Sequence, residues 1–153
     1  MAIPLPYENG TWFAVPLREG GYGTGLVARH SRDGVILVYL FGPKRKTPPE
    51  LGSVEKLTRV DAVKVSVAGD LGLIEGRWPI IGKSPSWKPE EWPVPKFVRR
   101  DDITKTAWLV TYADDNPLLV VAEERVPFDI EGFERDALSG AGAVEIQLTR
   151  LLA

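Results

Sequence analysis

Three apolar runs open the chain: Thr11–Leu17 (TWFAVPL), Gly23–His30 (GTGLVARH) and Gly34–Phe41 (GVILVYLF). Arg18-Glu19-Gly20-Gly21 and Ser31-Arg32-Asp33-Gly34 separate them, and Gly and Asp accept the positive φ that tight hairpin turns require. The pattern predicts three antiparallel strands in a meander. Glycines at positions 20, 21, 23 and 25 crowd the start of the second strand and predict a bulged, strongly bent one. Asp61–Val67 (DAVKVSV) alternates with period two, and Leu71–Ile74 and Trp78–Ile81 extend the series as short strand-like runs broken by Gly69, Gly72, Gly76 and Pro79. Lys105–Tyr112 and Leu118–Val126 predict a second hairpin across Asp114-Asp115-Asn116-Pro117, where Asp and Asn side chains bond their own backbone.

A helical period shows only near the end. Ile130, Phe133, Ala137 and Leu138 fall at helical spacing, and Ser139–Gly142 would stop such a helix. Ala143–Leu152 fits two readings: Val144, Ile146 and Leu148 alternate as a strand, whereas Val144, Leu148, Leu151 and Leu152 share a helical face. The strand is preferred. Two segments fit neither period. GPKRKTPP at 42–49 reads as a basic, Pro-bounded solvated loop. Lys83–Lys96 (KSPSWKPEEWPVPK) carries four prolines and two tryptophans, too rigid for a helix and too aromatic for a plain linker, so it reads as an ordered surface loop. The fold class expected is α+β and mostly β: a small bent antiparallel sheet or an SH3-like, partly open barrel with one short C-terminal helix, residues 1–153 forming one domain.

Composition agrees with short strands joined by turns: 13 Pro and 15 Gly among 153 residues, five Trp and one Met. A chain of this length buries roughly two-thirds of its unfolded surface and needs no staples to hold a core. Cysteine is absent, and Met1–Asn9 already contains Pro4, Pro6 and Glu8 rather than a basic start leading into an apolar stretch. The expectation is a cytoplasmic protein. The longest uncharged apolar stretches run to about five residues, far below the roughly 20 of a membrane helix, so no membrane association is expected. Nineteen Lys plus Arg against 21 Asp plus Glu give a net charge of −2, too little positive charge for phosphate binding to drive affinity, and nucleic acid is disfavoured as a partner.

Catalytic chemistry has little to work with. The only histidine, His30, is followed by Ser31, Arg32 and Asp33 in an expected turn, and neighbours in one turn cannot form a nucleophile–base–acid relay. With no cysteine and one histidine, a metal site would rest on carboxylates, and Asp114-Asp115-Asn116 lacks the alternating ligands of a calcium loop. The adjacent pairs Glu90-Glu91, Asp101-Asp102 and Glu123-Glu124 would point to opposite faces of a strand, so none makes an acid–base pair by itself. No enzymatic activity, cofactor or metal is expected.

The tryptophans carry more information. Trp12, Trp78 and Trp108 lie in strand-like runs and read as core or half-core, whereas Trp87 and Trp92 sit in the Pro-rich loop. Aromatics held on a rigid loop anchor interfaces at low entropic cost; equally, both would serve as a lid on their own sheet. Asp114, Asp115, Glu123, Glu124 and Asp129 gather acid around the second hairpin and its exit. Together Trp87, Trp92 and these five acids form the candidate partner-binding set.

Gly10-Thr11-Trp12-Phe13-Ala14-Val15-Pro16-Leu17, followed by Gly20-Gly21-Tyr22-Gly23-Thr24-Gly25-Leu26-Val27-Ala28-Arg29, resembles the opening of the immunity protein 26 family. Gly69-Asp70-Leu71-Gly72-Leu73-Ile74, with Gly76, Trp78, Pro79, Ile81 and Gly82 after it, resembles that family's centre. Thr11 stands where an acidic residue is frequent. The resemblance runs from about residue 10 to 150. It implies a bacterial cytoplasmic protein that binds and neutralises the effector domain of a cognate polymorphic toxin, and it carries over no catalytic residues. A monomer is the expected state. The alternative is an SH3-like small-barrel module binding a peptide or nucleic acid through aromatics.

Overall fold

A computed structural model of the chain describes residues 4–153. The predicted meander forms β1 (Thr11–Pro16), β2 (Tyr22–His30) and β3 (Val35–Arg45), followed by a short helix α1 (Leu51–Val54) and β4 (Lys64–Gly69). Next come α2 (Leu71–Ile74), β5 (Ile80–Lys83), β6 (Phe97–Asp101), β7 (Thr106–Ala113) and β8 (Asn116–Val126), then β9 (Glu134–Arg135), β10 (Leu138–Ser139) and the C-terminal helix α3 (Ala141–Leu151). Six strands form one sheet in the order β10-β4-β3-β2-β1-β5, and four form a second in the order β8-β7-β6-β9. All neighbours are antiparallel except β10 on β4 and β9 on β6. The protein is thus mostly β with one C-terminal helix, as the sequence predicts, but the two sheets do not close into a barrel.

The first sheet is buried on both faces, which is why β3 reads as an unbroken apolar run. Ile36, Val38 and Leu40 face one core with Phe13, Val15, Val27, Leu73 and Trp78, and Val144 and Leu148 of α3 cover it. Leu37, Tyr39 and Phe41 face another with Trp12, Leu26 and Val54, closed by Trp92 and by Phe97 of the second sheet. A smaller cluster of Val98, Ala107 and Leu109 lies on the far side of the second sheet beneath Val126, Phe128 and Ile130. The expected bulge in the glycine-rich strand is present as a register shift between Tyr22 and Thr24, and a second shift lies between Val27 and Arg29.

At the centre of the first core two rings stack: Phe13 and Trp78 lie 5.4 Å apart with planes 3° from parallel. Glycines close both ends. A methyl group at Gly25 would meet the Phe13 ring at 2.3 Å, and one at Gly72 would meet the Trp78 ring at 2.4 Å. The indole N–H of Trp78 donates to Glu145 Oε2 of α3 at 2.9 Å, and Arg77 and Arg18 hold the same carboxylate at 2.6 and 3.4 Å.

Four expectations are corrected. Leu71–Ile74 is a helical turn, not a strand, because the Asp70 carbonyl accepts the amides of Leu73 and Ile74 and so brings Gly72 under Trp78. Ile130–Leu138 is not a helix; its segment is extended and contributes β9 and β10, and Phe133 and Leu138 remain exposed, so their helical spacing has no core to face. The ambiguous tail is the helix: Val144 and Leu148, four residues apart, fill the face of the first sheet that no strand covers, while Ile146 points outward. Finally, β3 continues through Arg45 into the segment expected to be a loop, and FVRRD, where the sequence predicts no strand, forms β6.

Candidate functional site

The Pro-rich loop and the tip of the β7–β8 hairpin meet over the second core, and Arg29 joins them. Regular alternation after Val27 would turn Arg29 toward the first core, but the register shift places it opposite Leu37, on the face carrying Trp92. Its guanidinium is almost wholly buried and fully used. Nη1 donates to the carbonyls of Ala28 (2.7 Å) and Trp92 (3.1 Å), while Nη2 donates to the carbonyl of Pro89 (3.3 Å) and to Asp114 Oδ1 (2.9 Å). Nε donates to the same Asp114 oxygen at 3.3 Å. Arginine cannot lose its proton in a protein, so this buried charge requires such acceptors. A groove of about 470 Å³ lies beside it, lined by Arg29, Pro89, Glu90, Val94, Tyr112 and Asp114. Tyr112 donates its hydroxyl to Asp136, and its phenol is held above the ordinary range by burial first and by that carboxylate second.

Of the seven predicted site residues, the structure gathers three here. Trp92 is 6% exposed and packs edge-on against Trp12, Tyr39 and Phe41 at 5.0–6.0 Å; as an exposed anchor it is corrected to a core residue. Trp87 is half-buried, with the Arg29 guanidinium 5.9 Å from its ring. Gly10, at φ +93°, lies against the ring, where a Cβ would sit 3.0 Å from Trp87; glycine meets both the conformation and the contact. Both tryptophans therefore close down on their own sheet, the lid arrangement. Asp114 is 77% exposed at its side chain yet serves as the only carboxylate on Arg29.

The remaining acids spread along the hairpin. Asp115 is exposed at the turn, whereas Glu123 and Glu124 lie about eight residues further, roughly 25 Å along an extended strand. They face opposite sides, as adjacent strand residues must: Glu123 pairs with Arg99 (2.7 Å) and Glu124 with Lys96 (3.7 Å). Asp129 is exposed beyond β8. They form an acidic rim and not one patch. Sequence reasoning missed Arg29, and the only available signal was a charged residue inside the apolar run GTGLVARH.

Trp108 is half-buried between two guanidinium groups, Arg99 at 5.2 Å and Arg125 at 5.5 Å from its ring. His30 sits half-buried at the end of β2 with Nδ1 2.6 Å from Asn9 Oδ1 and its ring edge-on to Tyr7. Among the described residues no three His, Asp or Glu side chains cluster in a way that would hold a metal ion, and no helix is long and apolar enough to cross a membrane.

Comparison with known proteins gives two matches. The chain is similar to large ribosomal subunit protein bL21 of Nostoc punctiforme, 29% identical over 90 residues that cover 56% of this chain and 67% of that one. No solved structure matches it. The family model described as immunity protein 26 matches residues 8–109, from the turn before β1 into β7. Those residues include Gly10, Phe13, Gly25, Gly72 and Trp78, the motif positions that build the lid contact and the ring stack, and the chain belongs to the immunity protein 26 family.

Proposed function

We propose that this chain is the immunity protein of a bacterial toxin system, acting in the cytoplasm as one domain that binds the effector domain of a cognate toxin and blocks it by contact alone. The observation that carries the reading is the family match over residues 8–109, which spans the whole first-sheet meander and the Pro-rich loop. Immunity families act by binding, and a binding role agrees with a site made of a fully satisfied arginine, a packed aromatic lid and a rim of carboxylates rather than a nucleophile beside a base.

Asp115, Glu123, Glu124 and Asp129 would steer a basic effector domain toward the hairpin, because exposed charges act mainly on encounter. Trp87 and Asp114 would support this surface from beneath by fixing the loop and hairpin tip on Arg29. The test is co-expression of the chain with a candidate toxin effector domain from its own locus, followed by interferometry on an inactivated form of that domain. Protection of the cells and a stoichiometric complex support the reading; growth arrest despite abundant folded chain refutes it. Reversing Asp115 and Glu124 to Lys should lower the association rate about tenfold and flatten its salt dependence, with dissociation little changed.

A second reading has two observations in its favour: Trp108 between Arg99 and Arg125, a stacking platform of the kind that takes an unpaired base, and the similarity to a ribosomal protein. Against it, Glu123 already neutralises Arg99, and Asp101 and Asp102 line the same hollow. Binding of a single-stranded RNA oligomer, lost in Trp108→Ala, would establish it.

A further inference from the structure

The two sheets have four edges, and three are short: β5 has four residues, and β9 and β10 have two each. The fourth is β8, eleven residues long and hydrogen-bonded on one side only, to β7. Proteins usually blunt such an edge with charge, proline or brevity. Here the middle of the strand is Leu118-Leu119-Val120-Val121-Ala122, without a charge, and all five residues are exposed: Leu118 42%, Leu119 53%, Val120 40% and Val121 59%, with Ala122 beside them. An ordinary half-buried strand hides alternate residues; this one hides neither set. Pairing is also incomplete on the inner side. Tyr112 lies opposite Val120 and Thr111 opposite Ala122, so Val121 has no partner on β7, and neither have Leu118 and Leu119. The Leu118 amide already donates to Asn116 Oδ1 at 3.0 Å, so the open edge begins at Leu119, and along Leu119–Ala122 no strand lies on the outer side of β8.

Charge decides what kind of strand. The apolar segment is bracketed by Asp114 and Asp115 at one end and Glu123 and Glu124 at the other. A second copy pairing antiparallel about the centre of the run would set the aspartate end of one chain against the glutamate end of the other. Like charges facing across strands are destabilising. An extended segment that is apolar at its centre and carries Lys or Arg at both ends meets no such conflict, and it would gain main-chain hydrogen bonds along the edge together with opposite-charge pairs to Asp115 at one end and, at the other, to Glu124, whose own ion pair with Lys96 is 3.7 Å long.

We propose that the toxin effector domain docks by adding such a basic-ended strand to the free edge of β8. This deepens the toxin-binding reading and rests on it. The test uses the full chain and the inactivated form of the candidate effector domain used in the co-expression test. Hydrogen exchange should show new protection of amides within residues 119–122 in the complex. Leu119→Lys and Val121→Lys, both at exposed positions, should keep the unfolding midpoint and weaken binding more than about tenfold through faster dissociation. Val60→Lys, at a position 84% exposed and outside both sheets, should bind within about twofold of the parent. If the wild-type complex forms but residues 119–122 gain no protection, or both β8 variants bind within twofold, the strand-pairing proposal is overturned while the toxin-binding reading stands. If the wild type forms no complex and protects no cells, that reading fails and takes this one with it. If light scattering finds the chain alone dimeric and Leu119→Lys monomeric, a second copy occupies the edge and the toxin strand is excluded.

Discussion

Arg29 is 3% exposed, permanently charged, and satisfied by three carbonyls and one carboxylate. Arg29→Met would leave the Trp92 and Pro89 carbonyls without their donor and release the hairpin tip, at a cost of about 1–3 kcal/mol for each buried carbonyl left unpaired. Asp114→Asn should cost only about 1 kcal/mol, because water screens a carboxylate that is 77% exposed. Asp114→Lys should cost more, since it sets a second cation beside a buried one. Urea unfolding at constant m-value measures all three, and equal midpoints for Arg29→Met and wild type would show the guanidinium to be dispensable. A reversal at Asp114 is thus a stability variant as well as a change in the charge of the expected partner-binding set. The ring stack gives a second prediction at this scale. Gly25→Ala and Gly72→Ala press on opposite ends of the Phe13–Trp78 pair and should each cost about 1–3 kcal/mol. Their double variant should depart from additivity by more than about 0.5 kcal/mol, because one stack absorbs both insertions.

The element in which sequence and structure part most clearly is the tail. Val144, Ile146 and Leu148 alternate like a strand, and nothing local separates that reading from a helix, since both place Val144 and Leu148 on the same side. Ile146 discriminates. In α3 it is 39% exposed while Leu148 is fully buried, so Leu148→Ala should cost about 2–5 kcal/mol and Ile146→Ala less than about 0.5 kcal/mol. A strand would make the two losses similar. Thermal or urea midpoints of the pair decide it. The false helix at Ile130–Leu138 shows the converse: correct spacing without a surface to cover is not enough, because a short helix takes most of its stability from packing. The meander and the β7–β8 hairpin were legible because their turns carry residues that accept positive φ or bond their own backbone, and Gly34 at φ +82° closes one of them.

Over the whole molecule, three phenols withdrawn from water favour a loss of stability at alkaline pH. Tyr7, Tyr39 and Tyr112 are all held above the ordinary range, in each case by burial first, and for Tyr7 and Tyr112 also by hydrogen bonds to Asp70 and Asp136. A raised value in the folded state means that the native protein favours the neutral phenol. That contribution is complete below the unfolded value of about 10 and is lost progressively as pH rises above it. The urea midpoint should therefore fall between about pH 9 and about pH 11, and Tyr7→Phe should flatten part of that fall. An unchanged slope in Tyr7→Phe would assign the alkaline loss to other groups.

The sequence by itself determined the strand-rich class, the first meander, the second hairpin, the family motifs and the absence of a recognisable relay or metal-ligand spacing. Each of these depends on local chemistry: alternation, turn residues, or residue types that are simply not there. Tertiary structure decided everything that requires two distant segments to meet. It turned Trp92 into core and Trp87 into a lid, because the aromatic face of the first sheet needed cover. It turned Arg29 away from the first core through a one-residue register shift and so made Asp114 its counterion. It put β8 at the edge of the second sheet, and an apolar run that reads as an ordinary core strand became an open one, because the side on which a strand finds its partners is fixed by the other strands and not by its own residues.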